Sequence, residues 1–134
     1  MEIIETELND QVLQTLIAFS KDWEAENSCH GYRANERSDI EGNRIFLAKD
    51  GDAVIGYLFG HPEKSKNATS IMPEGTPIFE VEELYVVPSR RSGGVGTALF
   101  NHAAEAVKQE AQVVICKGWF LHPNTYDCGS FVVN

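Results

Sequence analysis

Residues 84–99 read LYVVPSRRSGGVGTAL, and this segment is the most informative part of the chain. Its first four residues are apolar or aromatic, which is typical of a β-strand. Pro88 ends that strand because proline cannot donate to a central ladder. A turn with Gly93, Gly94 and Gly96 follows, after which apolar residues recur four apart, as on one face of a helix. The stretch therefore predicts a strand, a glycine-rich turn and a helix in direct succession.

The junction between this turn and the helix predicts an anion-binding site. The first turn of a helix leaves N–H groups without intrahelical partners, and the helix dipole adds positive potential there. Glycines let a phosphate approach the backbone closely. Arg90 and Arg91 can add charge-assisted hydrogen bonds to phosphate oxygens. The alternative is a plain surface turn with two solvated arginines.

Two common phosphate motifs fit this turn poorly. A Walker A loop ends in Gly-Lys-Ser/Thr, whereas Gly96 is followed directly by Thr97 without a lysine. A dinucleotide fingerprint needs a third glycine beyond Gly94-x-Gly96, and the required place holds another residue.

The segments before this stretch predict antiparallel strands. Arg44–Lys49 and Ala53–Gly60 flank a turn that contains Gly51, which is the strongest hairpin signal in the chain. Pro77–Val87 is expected to be a long strand that leads into the glycine-rich turn. Residues 62–76 are largely polar and contain Pro and Gly, so an exposed loop is expected there.

Further elements are expected toward both ends of the chain. Before the hairpin we expect a strand at residues 2–7, a helix from a cap at Asn9 or Asp10 to about Ala25, and a loop with one short helix over 26–43. The helix that follows the glycine-rich turn is expected to end near Ala111. A strand at Gln112–Cys116 and a last short strand at Phe131–Val133 complete the predicted elements. A strand, helix and strand in sequence favour a parallel pair. We therefore predict one α+β domain over residues 1–134, with a mixed β-sheet flanked by helices on both faces.

The composition fits a single folded domain with an acidic surface. The chain has 134 residues, 43% of them hydrophobic, and a formal charge of -9. This charge disfavours nucleic acid as a partner and is compatible with a cationic amine, although a soluble acidic surface also explains it. The sequence lacks a membrane-spanning apolar run, and its N-terminus is acidic, so we expect a cytoplasmic protein without a membrane partner.

The three cysteines do not predict a metal or redox site. Cys29, Cys116 and Cys128 make an odd number without a CxxC pair, so neither a disulfide framework nor a zinc site is expected. His30 follows Cys29 directly, but residues adjacent in sequence do not thereby form a catalytic pair.

The glycine-rich turn resembles the acetyl-CoA motif of the GCN5-related N-acetyltransferases, the GNAT family. The family pattern Arg/Gln-x-x-Gly-x-Gly/Ala appears here as Arg91-Ser92-Gly93-Gly94-Val95-Gly96. The preceding LYVVP resembles the fourth strand of that family. The resemblance is specific over residues 79–100 and extends over about residues 1–116 in the order of elements.

The resemblance implies direct transfer of an acetyl group from acetyl-CoA to a primary amine of a small molecule or peptide, without a metal. It implies that the backbone of Leu84, Tyr85 and Val86 holds the pantetheine arm and that the amide near Val86 stabilises the thioester oxygen. It also implies that Arg91, Ser92, Gly93, Gly94, Val95, Gly96 and Thr97 hold the pyrophosphate.

A general base is expected among three glutamates. Strict alternation along a strand puts Glu80 and Glu82 on the face of Leu84 and Val86 and turns Glu83 the other way. We therefore take Glu80 and Glu82 as the candidates, and Glu80 resembles the base of the histone-acetylating members in its distance from Val86. Solvated side chains or contacts to a cationic substrate are the alternative.

The C-terminal part is shortened relative to the family. Only 18 residues, 117–134, follow Cys116, where family members have an Asn that contacts CoA and a Tyr that protonates the thiolate. Asn124 and Tyr126 have the right types, but they lie only two residues apart. A catalytically inert CoA-binding module with a regulatory or interaction role is therefore the alternative function. A sheet that ends early leaves an open edge, so a homodimer is also possible.

Overall fold

A six-stranded β-sheet forms the centre of the computed structural model. The structure describes residues 1–29, 31–65, 74–111, 113–120 and 131–133, with the backbone alone for 116–120 and 131–133. The strands are Glu2–Thr6 (β1), Arg44–Asp50 (β2), Ala53–Lys64 (β3), Pro77–Val86 (β4), Val113–Phe120 (β5) and Phe131–Val133 (β6). The helices are Asp10–Glu26 (α1), Arg37–Ile40 (α2) and Val95–Val107 (α3), and a 3₁₀ turn spans Pro88–Arg90.

The sheet is mixed, and its strands follow one another in chain order. β4 and β5 pair in parallel, whereas the other neighbouring strands pair antiparallel. α3 connects the two parallel strands, as the strand–helix–strand pattern predicted. The predicted hairpin of β2 and β3 and the predicted short strand β6 are also confirmed.

Helices cover both faces of the sheet, which confirms the predicted fold class. On one face, Leu99 and Ala103 of α3 pack with Leu58 of β3. On the other face, Leu16 and Trp23 of α1 belong to a second buried cluster. We refer to these as the α3 face and the α1 face.

Several elements differ in length from the prediction. β3 continues to Lys64 rather than ending at Gly60, because residues 62–64 pair with the beginning of β4. β5 likewise extends past Cys116 to Phe120, and α3 ends at Val107. The continued β3 makes His61 part of the sheet and places it opposite Glu80.

A β-bulge in β4 decides which face each of its side chains occupies. Phe59 of β3 pairs with Glu83, but the next residue, Gly60, pairs with Val81, so Glu82 is the extra residue of the bulge. A Cβ atom at Gly60 would overlap the carbonyl oxygen of Glu80 and lie 3.0 Å from Val81 Cα. Only glycine therefore fits at this position.

The bulge makes the predicted alternation of the glutamates wrong. Val81 packs on the α3 face together with Leu84 and Val86. The odd-numbered residues face α3 before the bulge, whereas the even-numbered residues face α3 after it. Glu83 contacts tyrosines of the α1 face, and Glu80 and Glu82 contact His61. Glu80 and Glu82 therefore do not share a face with Leu84 and Val86. The one inserted residue shifts the alternation of side chains between the two faces of the sheet by one position.

The bulge predicts that Gly60→Ala destabilises the protein by about 2 to 3 kcal/mol, because the methyl group overlaps backbone that cannot yield. Chemical denaturation measures the loss. Gly93→Ala is the control, since its Cβ would meet only the Arg90 carbonyl oxygen at 3.4 Å. Equal stabilities of the two variants would contradict the close approach at Gly60.

Candidate active site

The loop between β4 and α3 has the geometry of an anion-binding nest. Ser92 (φ 70°) and Gly94 (φ 85°) both lie in the left-handed region and flank Gly93. Such conformations turn successive backbone N–H groups toward one side. Gly94 is the N-cap of α3 and provides no side-chain cap, and a Cβ placed there would meet nothing within 4 Å. This open helix N-terminus fits a phosphate group.

The end of β4 directs one peptide group toward β5. The amide of Val87 donates to Ile55 O of β3 at 2.9 Å. Since successive residues of a strand point their backbone N–H groups to opposite sides, the amide of Val86 faces the β5 side. β5 accompanies β4 as far as the pair of Leu84 and Phe120 in the described residues, so Val86 lies beyond that pairing.

Tyr85, in contrast, does not present its backbone at this edge. Its carbonyl oxygen lies so close to Gly56 of β3 that a Cβ there would be 2.8 Å away. Its ring lies in the aromatic cluster of the α1 face, 5.4 Å from Trp23 between centroids. Of the three residues predicted to hold the pantetheine arm, the structure thus brings Leu84 and Val86 to the β5 edge.

The arginines of the loop are paired with carboxylates. Arg90 contacts Asp50, the last residue of β2, at 2.5 Å. The Arg91 guanidinium folds back onto β4, donates from Nε to Val86 O at 2.8 Å and pairs with Glu26 at 2.7 Å. The sequence predicted that the Arg91 side chain points toward the phosphates, whereas this structure shows it bound within the protein.

An acidic pocket opens on the α1 face beside the bulge. It has a volume of about 450 Å³ and lies between β4 and the segment that leads into α2. Its charged lining residues are Arg33, Glu36, Asp39, Glu82 and Glu83. A second cavity of about 240 Å³ shares Asp39 and Glu82 with it and also contacts Glu41 and His61. We call the larger cavity the acidic pocket and expect it to attract cations.

Glu83 is the buried carboxylate of the acidic pocket. Its side chain is 4% exposed, and it accepts hydrogen bonds from Tyr57 Oη at 2.8 Å and Tyr32 Oη at 3.1 Å. Ser20 Oγ lies 2.6 Å from Tyr32 Oη and extends this network to α1. Burial raises the pKa of Glu83 to about 7, although hydrogen bonds from its neighbours oppose the shift.

Glu80 and Glu82 form a second, more exposed group with His61. The Nε2 atom of His61 lies 3.4 Å from Glu80, and its Nδ1 atom lies 3.5 Å from Glu82. Burial and the nearby Glu80 carboxylate raise the pKa of Glu82. The three ligand atoms lie within 4.8 Å of one another, which is compatible with a cation.

The other predicted site residues divide into two groups, and Cys29, which was not predicted as a site residue, is described after them. Gly93, Gly94 and the α3 residues Val95, Gly96 and Thr97 are brought together at the loop. Asn124 and Tyr126 lie outside the described residues. Cys29 is buried and disulfide-bonded, contrary to the expectation of no disulfide, so it offers no free thiol.

Sequence reasoning considered Glu83 but set it aside as the base, and it missed the tyrosine partners of Glu83. A strict period of two turned Glu83 away from Glu80 and Glu82, and the bulge brings all three to one side. A glycine within a strand pattern is a recognised sign of a bulge, so Gly60 carried the signal. Tyr32 comes from a segment without periodicity, so its contact 51 residues along the chain had no local sign.

Solved structures share this fold at low sequence identity. An acetyltransferase from Vibrio fischeri is 18% identical with a TM-score of 0.63, and the match covers 89% of this chain and 97% of that one. NAA60 of Arabidopsis thaliana, in complex with a bisubstrate analogue, is 16% identical with a TM-score of 0.66. That match covers 86% of this chain and 73% of NAA60. An aminoglycoside 6'-N-acetyltransferase complexed with coenzyme A is 22% identical with a TM-score of 0.60. That match covers 87% of this chain and 61% of the aminoglycoside enzyme. At these identities the likeness shows the fold.

Curated protein sequences give no match to this chain. Within the described residues, the helices are too short or too polar to cross a membrane. The family model for the acetyltransferase (GNAT) family, in contrast, matches residues 11–125, which is most of the chain. On this match and the shared fold, the chain belongs to the GNAT family of acetyltransferases.

Proposed function

We propose that the protein transfers an acetyl group from acetyl-CoA to a primary amine bound in the acidic pocket. The observation that carries this proposal is the course of β4. Glu82 and Glu83, past the middle of this strand, line an acidic pocket, and the C-terminal end of the strand leads into an open helix N-terminus. A cationic acceptor and an anionic coenzyme thus meet along a single strand.

The loop residues supply the coenzyme side of the proposed site. Backbone N–H groups from Gly93 to Thr97 bind the pyrophosphate, because the α3 N-terminus is uncapped by a side chain and sterically open at Gly94. Bound acetyl-CoA supplies the acetyl group as a thioester. The Val86 amide, which faces β5, donates to the thioester oxygen and stabilises negative charge there.

The acidic pocket supplies the acceptor side. Its carboxylates favour an ammonium group over a neutral or anionic acceptor. The neighbouring cavity shares Asp39 and Glu82 with the pocket, so a second positive charge on the same molecule also finds acidic partners. We therefore propose an amine acceptor with more than one positive charge, and a peptide amine is the other class that the pocket admits.

Glu83 accepts the proton of the acceptor in this proposal. The ammonium loses one proton to the ionised carboxylate, and its nitrogen forms the C–N bond as the C–S bond breaks. The second proton that the nitrogen releases converts the departing thiolate to the CoA thiol. A pKa near 7 suits this role, because the base is ionised in part of the enzyme and still basic enough to take the proton. Glu83 lies three residues before Val86, roughly 10 Å along the strand. In this proposal the amine therefore passes its proton to the carboxylate through a short chain of waters.

Glu80 and Glu82 then become acceptor-binding residues rather than the base. They are 20% and 38% exposed and contact His61, so their environment is wetter than that of Glu83. The inert CoA-binding module remains the rival function. Release of CoA thiol across a panel of amines separates the two, because the inert module predicts no turnover with any acceptor.

Substitution at the loop tests the coenzyme site. We expect Gly94→Glu to weaken CoA binding at least about a hundredfold, because a carboxylate at a helix N-terminus repels and displaces phosphate. Calorimetry with CoA measures the affinity. Gly75→Glu is the matched control, since Gly75 has φ 84° against 85° for Gly94 and the same open surroundings. Equal affinities of the two variants would count against the loop.

Substitution at the buried glutamate tests the base. We expect Glu83→Gln to lower kcat by roughly 10² to 10⁴ while the KM for acetyl-CoA stays close to wild type. The wild-type rate should rise with pH through about 7, where Glu83 ionises, and the variant should lose this rise. Glutamine keeps an oxygen that can accept from Tyr57 and Tyr32, so the fold is preserved.

Glu80→Gln is the comparison for this test. We expect it to raise the KM for the acceptor and to lower kcat less than tenfold. A large loss of kcat in Glu80→Gln together with near-normal turnover in Glu83→Gln would assign the base to Glu80 instead.

A further inference from the structure

Glu26, the last residue of α1, forms an ion pair with Arg91. Arg91 is the first residue after the 3₁₀ turn and begins the segment 91–97, which we call the coenzyme loop. Its carboxylate binds the Arg91 guanidinium in a bidentate arrangement, with Nη2 to Oε1 at 2.7 Å and Nη1 to Oε2 at 3.1 Å. Ser28 Oγ donates to the same carboxylate at 3.2 Å. Asn27 ends the helix in the left-handed conformation (φ 55°), directly after Glu26. The helix end thus holds the carboxylate in place.

Arg91 transmits this contact to the end of β4. Its Nε donates to Val86 O at 2.8 Å, and the guanidinium carbon lies 5.3 Å from the centroid of the Tyr85 ring. Tyr85 Oη in turn lies 3.4 Å from Glu26 Oε1. The helix end, the strand end and the loop start are therefore linked through one guanidinium.

The environment of this ion pair makes it stronger than a surface pair. Both side chains are 20% exposed, against 57% and 53% for Arg37 and Glu41 in a surface pair of α2. Partial burial reduces screening by water and salt, and bidentate geometry fixes the orientation of both groups. The guanidinium also has an aromatic face beneath it.

We propose that Glu26 is a positioning residue for CoA, which acts by holding Arg91 against the Val86 carbonyl. This inference rests on the proposed function. It assigns Arg91 the task of fixing the Val86 peptide and the first residue of the loop before the coenzyme arrives. Preorganisation of this kind strengthens binding because the peptide and the loop need no ordering when CoA binds.

A competing role for Glu26 would change the CoA affinity in the opposite direction when Glu26 is removed. If the carboxylate withheld Arg91 from the phosphates, its removal would strengthen CoA binding. The geometry favours positioning, because Val86 O and the Tyr85 ring also hold the guanidinium on the strand side. Loss of Glu26 leaves these weaker contacts in place and makes the loop start less ordered.

Glu5→Gln provides a matched control elsewhere in the fold. Glu5 also binds Arg44 in a bidentate arrangement, here through Nε at 2.8 Å and Nη2 at 3.0 Å, and the Arg44 guanidinium carbon lies 6.0 Å from the Phe46 ring centroid. The two variants therefore remove the same kind of ion pair. Only Glu26→Gln removes one that reaches the coenzyme loop.

Calorimetry with CoA on the folded proteins tests the inference. We expect Glu26→Gln to raise the Kd for CoA roughly five- to twentyfold, Glu26→Asp to recover part of this loss, and Glu5→Gln to bind as wild type. The double variant Glu26→Gln/Arg91→Gln should bind no more weakly than Arg91→Gln alone, because both changes break one linkage.

The outcomes separate this inference from the proposed function. Unchanged or tighter binding by Glu26→Gln, with wild type still binding CoA, overturns the positioning role and leaves the function standing. Failure of wild type itself to bind CoA overturns both. An equal loss in Glu5→Gln also overturns the inference, because the effect would then be one of general stability.

Discussion

The close packing of Gly60 against the Glu80 carbonyl determines how β4 is arranged. A side chain at Gly60 has no room, and the missing Cβ lets β4 carry an extra residue at Glu82. The bulge gathers Glu80, Glu82 and Glu83 on the α1 face while Leu84 and Val86 stay in the core of the α3 face. One backbone irregularity thus makes a charged pocket next to an intact hydrophobic core.

The same strand also fixes where the coenzyme would lie relative to the acceptor. After the bulge, β4 continues to Val86, and Pro88 begins the 3₁₀ turn that leads into the loop. Because the peptide groups of a strand have fixed spacing and direction, the buried carboxylate and the open helix N-terminus are held at a set separation. The contact of Glu26 with Arg91 adds a third attachment, from the helix that covers the pocket side of the sheet.

The sequence was sufficient for most of the architecture because its signals were local. The hairpin turn at Gly51, the cap at Asn9 and the glycine-rich loop are each encoded within a few residues, and the structure has all three. The cap is visible as a hydrogen bond of 2.9 Å from the Val12 amide to Asn9 Oδ1. The cytoplasmic location and the homodimer stay predictions.

The candidate site was less predictable because it is assembled from distant residues. A period of two cannot register a bulge whose cause, Gly60, lies on the neighbouring strand. The direction of Arg91 depended on Glu26, 65 residues earlier in the chain. The environment of Glu83 depended on tyrosines from two other segments. Such contacts become visible only when the strands and helices are assembled.

We propose that backbone amides between Arg91 and Thr97 bind the two linked phosphates of CoA. Amide spectra of the ¹⁵N-labelled protein during a CoA titration test it most directly. We expect the signals of Gly93, Gly94 and Gly96 to shift together and saturate, while those of Gly51 and Gly75 do not move. Saturating CoA that leaves the three loop glycines unperturbed would contradict it.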